Sequence, residues 1–365
     1  MTRTTTAVVK VGTSSITSPS GALDDAALVK LGSEVATARA RGHEVVMVCS
    51  GAIAAGLPAL GWRERPTDLG TLQAVAAVGQ PRLMERLGTI LDGHGLVAGQ
   101  VLLTPHDFGY RPQYLHARDT MRRLLDLGVV PIVNENDTIA DDEIRYGDND
   151  RLAALVSHLV NADVLVLLTD TPGLFTADPR AVEHASLIEE IVEVDEALEA
   201  VAGGAGTVRG SGGMASKLAA AKMATWSGVR AVIASTSAPD VVVDAIEGRP
   251  VGTSVAPRSQ RLSSRKLWIA FARRSAGRVV VDAGARTALV GSGRSLLAAG
   301  VRAVEGRFDA DDAVEVVDET GQPFAKGLVR VSAAVLAGIA GRRTGDLPEG
   351  VPHEVIHRDD LVVLP

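Results

Sequence analysis

Three consecutive polar residues, Asp148, Asn149 and Asp150, stand in the run Tyr146-Gly-Asp-Asn-Asp-Arg151, just ahead of an apolar helical pattern. One Asp or Asn at such a place is ordinary capping, because its side chain satisfies a free backbone N–H. A cap needs one such residue, and here there are three. A second acid–amide group, Asn134-Glu-Asn-Asp137, lies shortly upstream. Asn134, Asp137, Asp148, Asn149 and Asp150 have the chemistry to bind an α-ammonium group, or to position catalytic lysines and Mg2+. An exposed acidic loop or a Ca2+ site would use the same residue types. The EF-hand spacing of acids, Gly and Glu is absent, which counts against calcium.

Cations and hydroxyls recur at the ends of apolar runs. Lys10 closes the first run and is followed by Gly12-Thr-Ser-Ser15, a source of N–H and O–H donors for an anion. The plain alternative is a solvated lysine before an ordinary turn. The second run ends in Ser50-Gly-Ala-Ile-Ala-Ala-Gly56, either a donor-lined pocket or a tight turn that needs Gly51. Thr169 and Asp170 close a further run, before the Pro172-Gly173 turn. The stretch 203–217 is Gly-rich, ends in Ser211-Gly-Gly-Met-Ala-Ser-Lys217 and opens a helix. Successive N–H groups there can cradle phosphates, with Lys217 adding a full charge. A surface loop is the alternative. The segment is neither a Walker A loop nor a dinucleotide fingerprint, since the required spacing and preceding strand are missing.

The elements that must carry these residues are legible as a pattern. Short Val/Ile/Leu runs at 7–11, 45–49, 96–103, 129–133, 164–168 and 231–234 suit strands covered on both faces. Amphipathic helical stretches at 26–41, 71–94, 115–127, 151–159 and 216–227 lie between them. Gly42, Gly95, Gly128 and Gly228 fall just past helical stretches, where a left-handed cap is preferred. Alternation of this kind predicts an α/β domain with a helical layer on each side of the sheet. The C-termini of strands in such sheets line the ligand crevice, so Lys10, Ser50, Asn134 and Thr169 converge there.

Pattern and charge change near residue 260. Between 265 and 281 stand Arg265, Lys266, Arg273, Arg274 and Arg278 with no acid, and short β-like runs follow. Residues 264–365 carry 14 basic and 13 acidic side chains, so this segment is nearly neutral. The expected division is an α/β domain at 1–258, a linker at 259–275 and a small β-rich domain at 276–357. The net charge of −7 does not favour nucleic acid as the main partner, because phosphate backbones need a basic surface. Cys49 is the single cysteine, which excludes an internal disulfide and any cysteine metal cluster. The start of the chain is too short and polar for a secretion signal, and no apolar stretch nears the ~18 residues of a membrane span. A cytoplasmic location is the expectation.

In order and spacing the chain resembles the glutamate 5-kinase family of the amino-acid kinase superfamily, over nearly its whole length. The residues that carry the resemblance are Val9-Lys-Val-Gly-Thr-Ser14, Val48-Cys-Ser-Gly-Ala-Ile53, Asn134-Glu-Asn-Asp137, Tyr146–Arg151, Thr169-Asp170 and Gly212-Gly-Met-Ala-Ser-Lys217. The run Gly293-Arg-Ser-Leu-Leu-Ala-Ala-Gly-Val301 looks like part of a PUA domain. Where family members often read Thr-Gly-Gly-Met-Ser/Gly-Thr-Lys, this chain reads Ser211-Gly-Gly-Met-Ala-Ser-Lys217, a set of small exchanges.

The resemblance implies a three-layer αβα sandwich of amino-acid kinase type with a C-terminal PUA-like domain. It implies ATP-dependent phosphorylation of the γ-carboxylate of L-glutamate, the first step of proline biosynthesis, with Mg2+ accompanying the nucleotide. Ser50, Asp137 and Asn149 would bind glutamate, with Asn134 and Asp148 nearby. Thr169, Asp170, Ser211, Gly212, Gly213, Met214, Ala215, Ser216 and Lys217 would hold ATP, together with Lys10. Lys10 and Lys217 would stabilise charge and Asp150 would orient them; no residue is assigned as a metal ligand. Feedback by proline, handover of the acyl phosphate to a reductase, and a homo-oligomer are further implications. The alternatives are an N-acetylglutamate or aspartate kinase, which usually carry a Gly-Gly pair after the first lysine, and an RNA-binding or RNA-modifying protein acting through the PUA-like domain.

Overall fold

In the first 261 residues the apolar runs become strands β1 (Thr6–Val11), β2 (Glu44–Cys49), β3 (Ala98–Leu103), β4 (Val130–Glu135) and β5 (Val164–Thr169). Shorter strands β6 (Glu190–Ile191), β7 (Arg230–Ser235) and β8 (Thr253–Val255) follow. The helices are α1 (Asp25–Ala40), α2 (Ala52–Ala59), α3 (Leu69–Asp92), α4 (Pro105–Gly109), α5 (Arg111–Asp126), α6 (Asp148–Leu159), α7 (Glu196–Gly203), α8 (Met214–Trp226) and α9 (Val241–Glu247). This computed structural model describes residues 4–18, 21–139, 148–179, 182, 184–203, 213–259, 261–273 and 275–364. The chain divides into two units, Met1–Arg261 and Leu262–Pro365.

The eight strands form one sheet in the order β3-β4-β2-β1-β5-β7-β8-β6. All pairs are parallel except β7–β8, which is antiparallel. Period-two alternation divides β1 between two cores. Ala7, Val9 and Val11 pack with Leu28, Leu31 and Val35 of α1, with Leu83 and Leu87 of α3, and with Val242 of α9. Val8 and Lys10 lie on the opposite face, where α6 packs on β1 and against α8. The sheet is therefore covered on both sides, as its apolar runs require. Gly42, Gly95, Gly128 and Gly228 all take positive φ between 72° and 87°, the left-handed caps expected for them.

Register sets the level of the functional edge. Lys10 lies opposite Val48 and Leu167, Val48 opposite Val133, and Leu167 opposite Ile233. The C-terminal ends of β4, β2, β1, β5 and β7 thus come out side by side. The chain builds β2, β3 and β4 on one side of β1 and then crosses to β5 on the other. That reversal places a topological switch point between β1 and β5, the usual crevice for a ligand in an open α/β sheet.

Residues 262–364 form the second unit. Helix α10 (Ser264–Leu267) continues into a π-helical turn at Trp268–Ala272, with Leu267 and Ile269 buried. Part of the stretch expected as linker is therefore helical and packed, and Lys326 donates to the Ala270 carbonyl at 3.3 Å. The remaining elements are β9 (Ser275–Val281), α11 (Ala283–Ser292), β10 (Leu296–Leu297), β11 (Val301–Gly306), β12 (Ala313–Val317), β13 (Pro323–Leu328), α12 (Ala333–Ile339), β14 (Glu354–Ile356) and β15 (Leu361–Val363). Five strands make a sheet in the order β11-β9-β12-β13-β15, and β10 pairs with β14. Val279, Val281, Val314, Val316 and Leu336 are at its core. The basic residues flanking β9 are largely paired: Arg265 with Asp360, Arg273 with Asp312 at 3.6 Å, and Arg278 with Glu315 at 3.0 Å. Arg274 lies outside the described residues. Among the described residues, no helix is long and apolar enough to cross a membrane.

Candidate functional site

Lys10 is not a solvated lysine. It is 3% exposed, because strand alternation turns it toward the layer containing α6 and α8. A buried ammonium is costly unless it is paired. Its partner is Asp150 on α6, whose Oδ1 lies 2.6 Å from Lys10 Nζ and whose side chain is fully buried. The other carboxylate oxygen accepts from the Ser216 hydroxyl at 2.6 Å and lies 3.6 Å from Lys217 Nζ. The same hydroxyl lies 2.9 Å from the Gly213 carbonyl oxygen, so the first turn of α8 sits against this carboxylate. At closest range, two buried ammonium groups share one buried carboxylate.

The environment sets the charges. Burial pushes the Asp150 carboxyl up, but the charges of Lys10 and Lys217 and the hydrogen bond from Ser216 outweigh it, holding it below the usual carboxylate value. Burial pulls the Lys217 amine down from its ordinary value, and the like charge of Lys10 adds to this, while Asp150 opposes it. Gly12 lies two residues after Lys10, and a Cβ there would sit 3.4 Å from Lys10 Nζ. The absence of a side chain leaves the backbone close to this cation.

Residue 149 faces a different group. Asn149 Nδ2 donates to Ser50 Oγ at 2.9 Å and to Asn134 Oδ1 at 3.1 Å. Ser50 follows β2, and its N–H is held by the Val11 carbonyl at 3.2 Å. Gly51 takes φ of 110°, and a Cβ there would meet Ile16 Cδ1 at 2.9 Å, so the turn that presents Ser50 requires glycine. Asn134 is 2% exposed at the end of β4 and donates to Gln80 Oε1 at 2.8 Å. Asn149 and Asp150, adjacent on one helix, thus connect an amide–hydroxyl cluster to the lysine pair.

Thr169 and Asp170 close β5 on the far side of the switch point. Thr169 Oγ1 donates to Asp170 Oδ1 at 3.1 Å, and Asp170 is exposed. The Thr169 carbonyl accepts from Thr236 N–H at 2.8 Å and Thr236 Oγ1 at 3.1 Å, which locks the ends of β5 and β7 together. Asp137 is half-buried in the turn after β4. Gly213 and Met214 are half-buried at the start of α8, and Ala215 is exposed. Tyr146, Gly147, Ser211, Gly212 and the Asp148 side chain lie outside the described residues. Gln80 and Thr236 were not expected from sequence. Gln80 sits within a helical pattern as an ordinary polar residue, and only the buried Asn134 amide reveals its contact.

The profile of the amino acid kinase family matches residues 5–235, and that of the PUA domain matches residues 277–350. A glutamate 5-kinase of Methylobacillus flagellatus is 46% identical, covering 98% of this chain and 97% of its own length. The glutamate 5-kinases of Vibrio parahaemolyticus and Moorella thermoacetica are each 45% identical, over 98% of this chain and 96% of theirs. A solved structure of carbamate kinase from Giardia lamblia bound to AMP-PNP shares the fold, with a TM-score of 0.51 at 19% identity, covering 70% of this chain and 99% of that one. The matches over nearly the full length lead to one assignment: this chain belongs to the amino acid kinase family and, within it, to the glutamate 5-kinases that carry a C-terminal PUA domain.

Proposed function

We propose that this chain uses ATP to phosphorylate the γ-carboxylate of L-glutamate, giving L-glutamyl 5-phosphate and ADP, the first step of proline biosynthesis. The observation that carries the reading is the Asp150 carboxylate between Lys10 and Lys217, next to the Ser50–Asn149–Asn134 cluster. The first is a charge-stabilising device and the second is suited to an amino acid.

A glutamate side chain is ionised at neutral pH, so its oxygen attacks the γ-phosphorus without a general base. The new O–P bond forms as the bond to the β,γ-bridging oxygen breaks, and ADP leaves with the electron pair. Such a reaction depends on in-line positioning and on cancelling negative charge. Lys10 and Lys217 supply the charge, and Asp150 with Ser216 fixes where it sits. Thr169, Asp170 and the start of α8 (Gly213, Met214, Ala215, Ser216 and Lys217), with Ser211 and Gly212, hold the nucleotide. Ser50, Asn134, Asp137, Asp148 and Asn149 hold glutamate. Mg2+ neutralises phosphate charge when bound. It would travel with the triphosphate, which is the usual way a kinase takes up this ion.

The boundaries 1–258, 259–275 and 276–357 remain our division into kinase domain, linker and PUA-like domain. Feedback by proline, transfer of the acyl phosphate to a reductase, a homo-oligomer and a cytoplasmic location accompany this reading, supported by family membership. The test is trapping of the acyl phosphate with hydroxylamine, using glutamate, aspartate and N-acetylglutamate in turn. Hydroxamate from glutamate alone is the expected result, and preference for either other acid would replace the assignment.

A further inference from the structure

The amide cluster has a fixed polarity, because one of its members cannot be turned round. The Glu135 backbone N–H can only donate, and it donates to Asn134 Oδ1 at 2.9 Å. That contact decides which end of Asn134 is oxygen. Its Nδ2 must then face the other way, where Gln80 Oε1 accepts it at 2.8 Å. Gln80 in turn directs its Nε2 to Gln100 Oε1 at 3.4 Å. On the other side, Asn134 Oδ1 faces a donor, so the group of Asn149 nearest to it is Nδ2, at 3.1 Å. Asn149 Nδ2 gives its second hydrogen to Ser50 Oγ at 2.9 Å.

Two things follow at the substrate end of this relay. Asn149 Oδ1 is buried with no hydrogen-bond partner among the described residues, an acceptor awaiting a donor. Ser50 Oγ, already accepting, keeps its own hydrogen to donate. An acceptor beside a donor matches the two ends of an α-amino acid. The ammonium suits Asn149 Oδ1, and a carboxylate oxygen suits Ser50.

We propose that Gln80 is a positioning residue for the amino-acid substrate, holding Asn134 so that Asn149 Oδ1 faces the substrate ammonium and Ser50 donates to its carboxylate. The inference rests on the glutamate-phosphorylating reading above. Gln80 is rigidly delivered, because its neighbour Gly79 packs against α2 so closely that a Cβ would lie 1.7 Å from the Ala52 carbonyl oxygen. It acts through Asn134 and Asn149 and touches no substrate itself.

The test compares Gln80→Met and Gln80→Glu in the full chain, measuring kcat and the KM for glutamate and for ATP separately. Gln80→Met removes the acceptor and is expected to raise KM for glutamate about tenfold, the scale of one hydrogen bond lost in a buried network. KM for ATP, a check on folding, stays unchanged. Gln80→Glu retains an acceptor for Asn134 and restores much of the loss. An unchanged KM for glutamate in Gln80→Met, an equal rise in both KM values, or a Gln80→Glu variant as impaired as Gln80→Met would overturn the proposal. A wild-type chain that makes no acyl phosphate from glutamate would overturn the underlying reading instead.

Discussion

Lys10 and Asp150 meet at 2.6 Å with their side chains 4% and 0% exposed, and the same carboxylate lies 3.6 Å from Lys217. A buried ion pair of this kind roughly breaks even in stability, because desolvation offsets the attraction. Its consequence is positional. Two cations that would repel each other are held on one face of the crevice by a single anion.

Removing either cation should therefore act on the chemical step. Lys10→Ala and Lys217→Ala are each expected to lower kcat by on the order of 10²-fold or more, the range for losing a preorganised charge stabiliser. A coupled ADP-release assay measures this. Near-normal turnover in either variant would take that lysine out of the role.

His158 provides a pH signature separate from the site. On α6 its ring stacks with Tyr114 at 6.3 Å between centroids, and its Nε2 is buried without a hydrogen-bond partner among the described residues. Burial lowers its pKa from 6.5 to about 4. The unfolded chain takes up this proton below the higher value, and the folded chain only below the lower one. Stability is complete above the higher value and declines as pH falls toward the lower one. His158→Leu should flatten that decline in urea unfolding at pH 7 and pH 5. Parallel losses in both proteins would contradict the assignment.

Close packing of α2 on α3 underlies the amino-acid side. A Cβ at Gly56 would lie 2.2 Å from the Val75 carbonyl oxygen, and one at Gly79 still closer to that of Ala52. Backbone cannot yield as a side-chain tip can. Gly79→Ala is expected to cost about 3 kcal/mol, the upper end for overpacking, and to raise KM for glutamate by displacing Gln80. Thermal unfolding and steady-state kinetics check both effects. An unaltered melting temperature would show that the helices separate freely.

Cys49 is fully buried beside the site, and its thiol is pushed up to about 12 by burial, with the charge of Lys10 opposing. The thiolate is the reactive form, so the native protein should resist iodoacetamide at pH 8 and react fully in denaturant. Fast native labelling would mean that this part of the sheet opens readily.

Much of this arrangement is legible in sequence, for a physical reason. Lys10, Ser50, Asn134 and Thr169 each end an apolar run, and the C-terminal ends of parallel strands gather at one edge. Spacing does not reveal which polar neighbour faces which partner. Asn149 and Asp150 are adjacent, yet helical rotation sends one to Ser50 and the other to Lys10. Ser216 reads as one more donor of a glycine-rich loop, whereas its hydroxyl holds Asp150. Gln80 carries no signal, since a glutamine within a long helix is indistinguishable from a solvated one. Strands β6 and β8 are two and three residues long, too short for any alternation to register.

Asp150→Asn tests the central claim most directly. The amide keeps the shape of the side chain and an acceptor for Ser216, but it removes the charge that holds Lys10 and Lys217 together. With both substrates saturating, kcat for glutamate-dependent ADP formation should fall by on the order of 10²-fold or more, with the KM for glutamate little changed. A variant that turns over glutamate at close to the native rate would contradict the account.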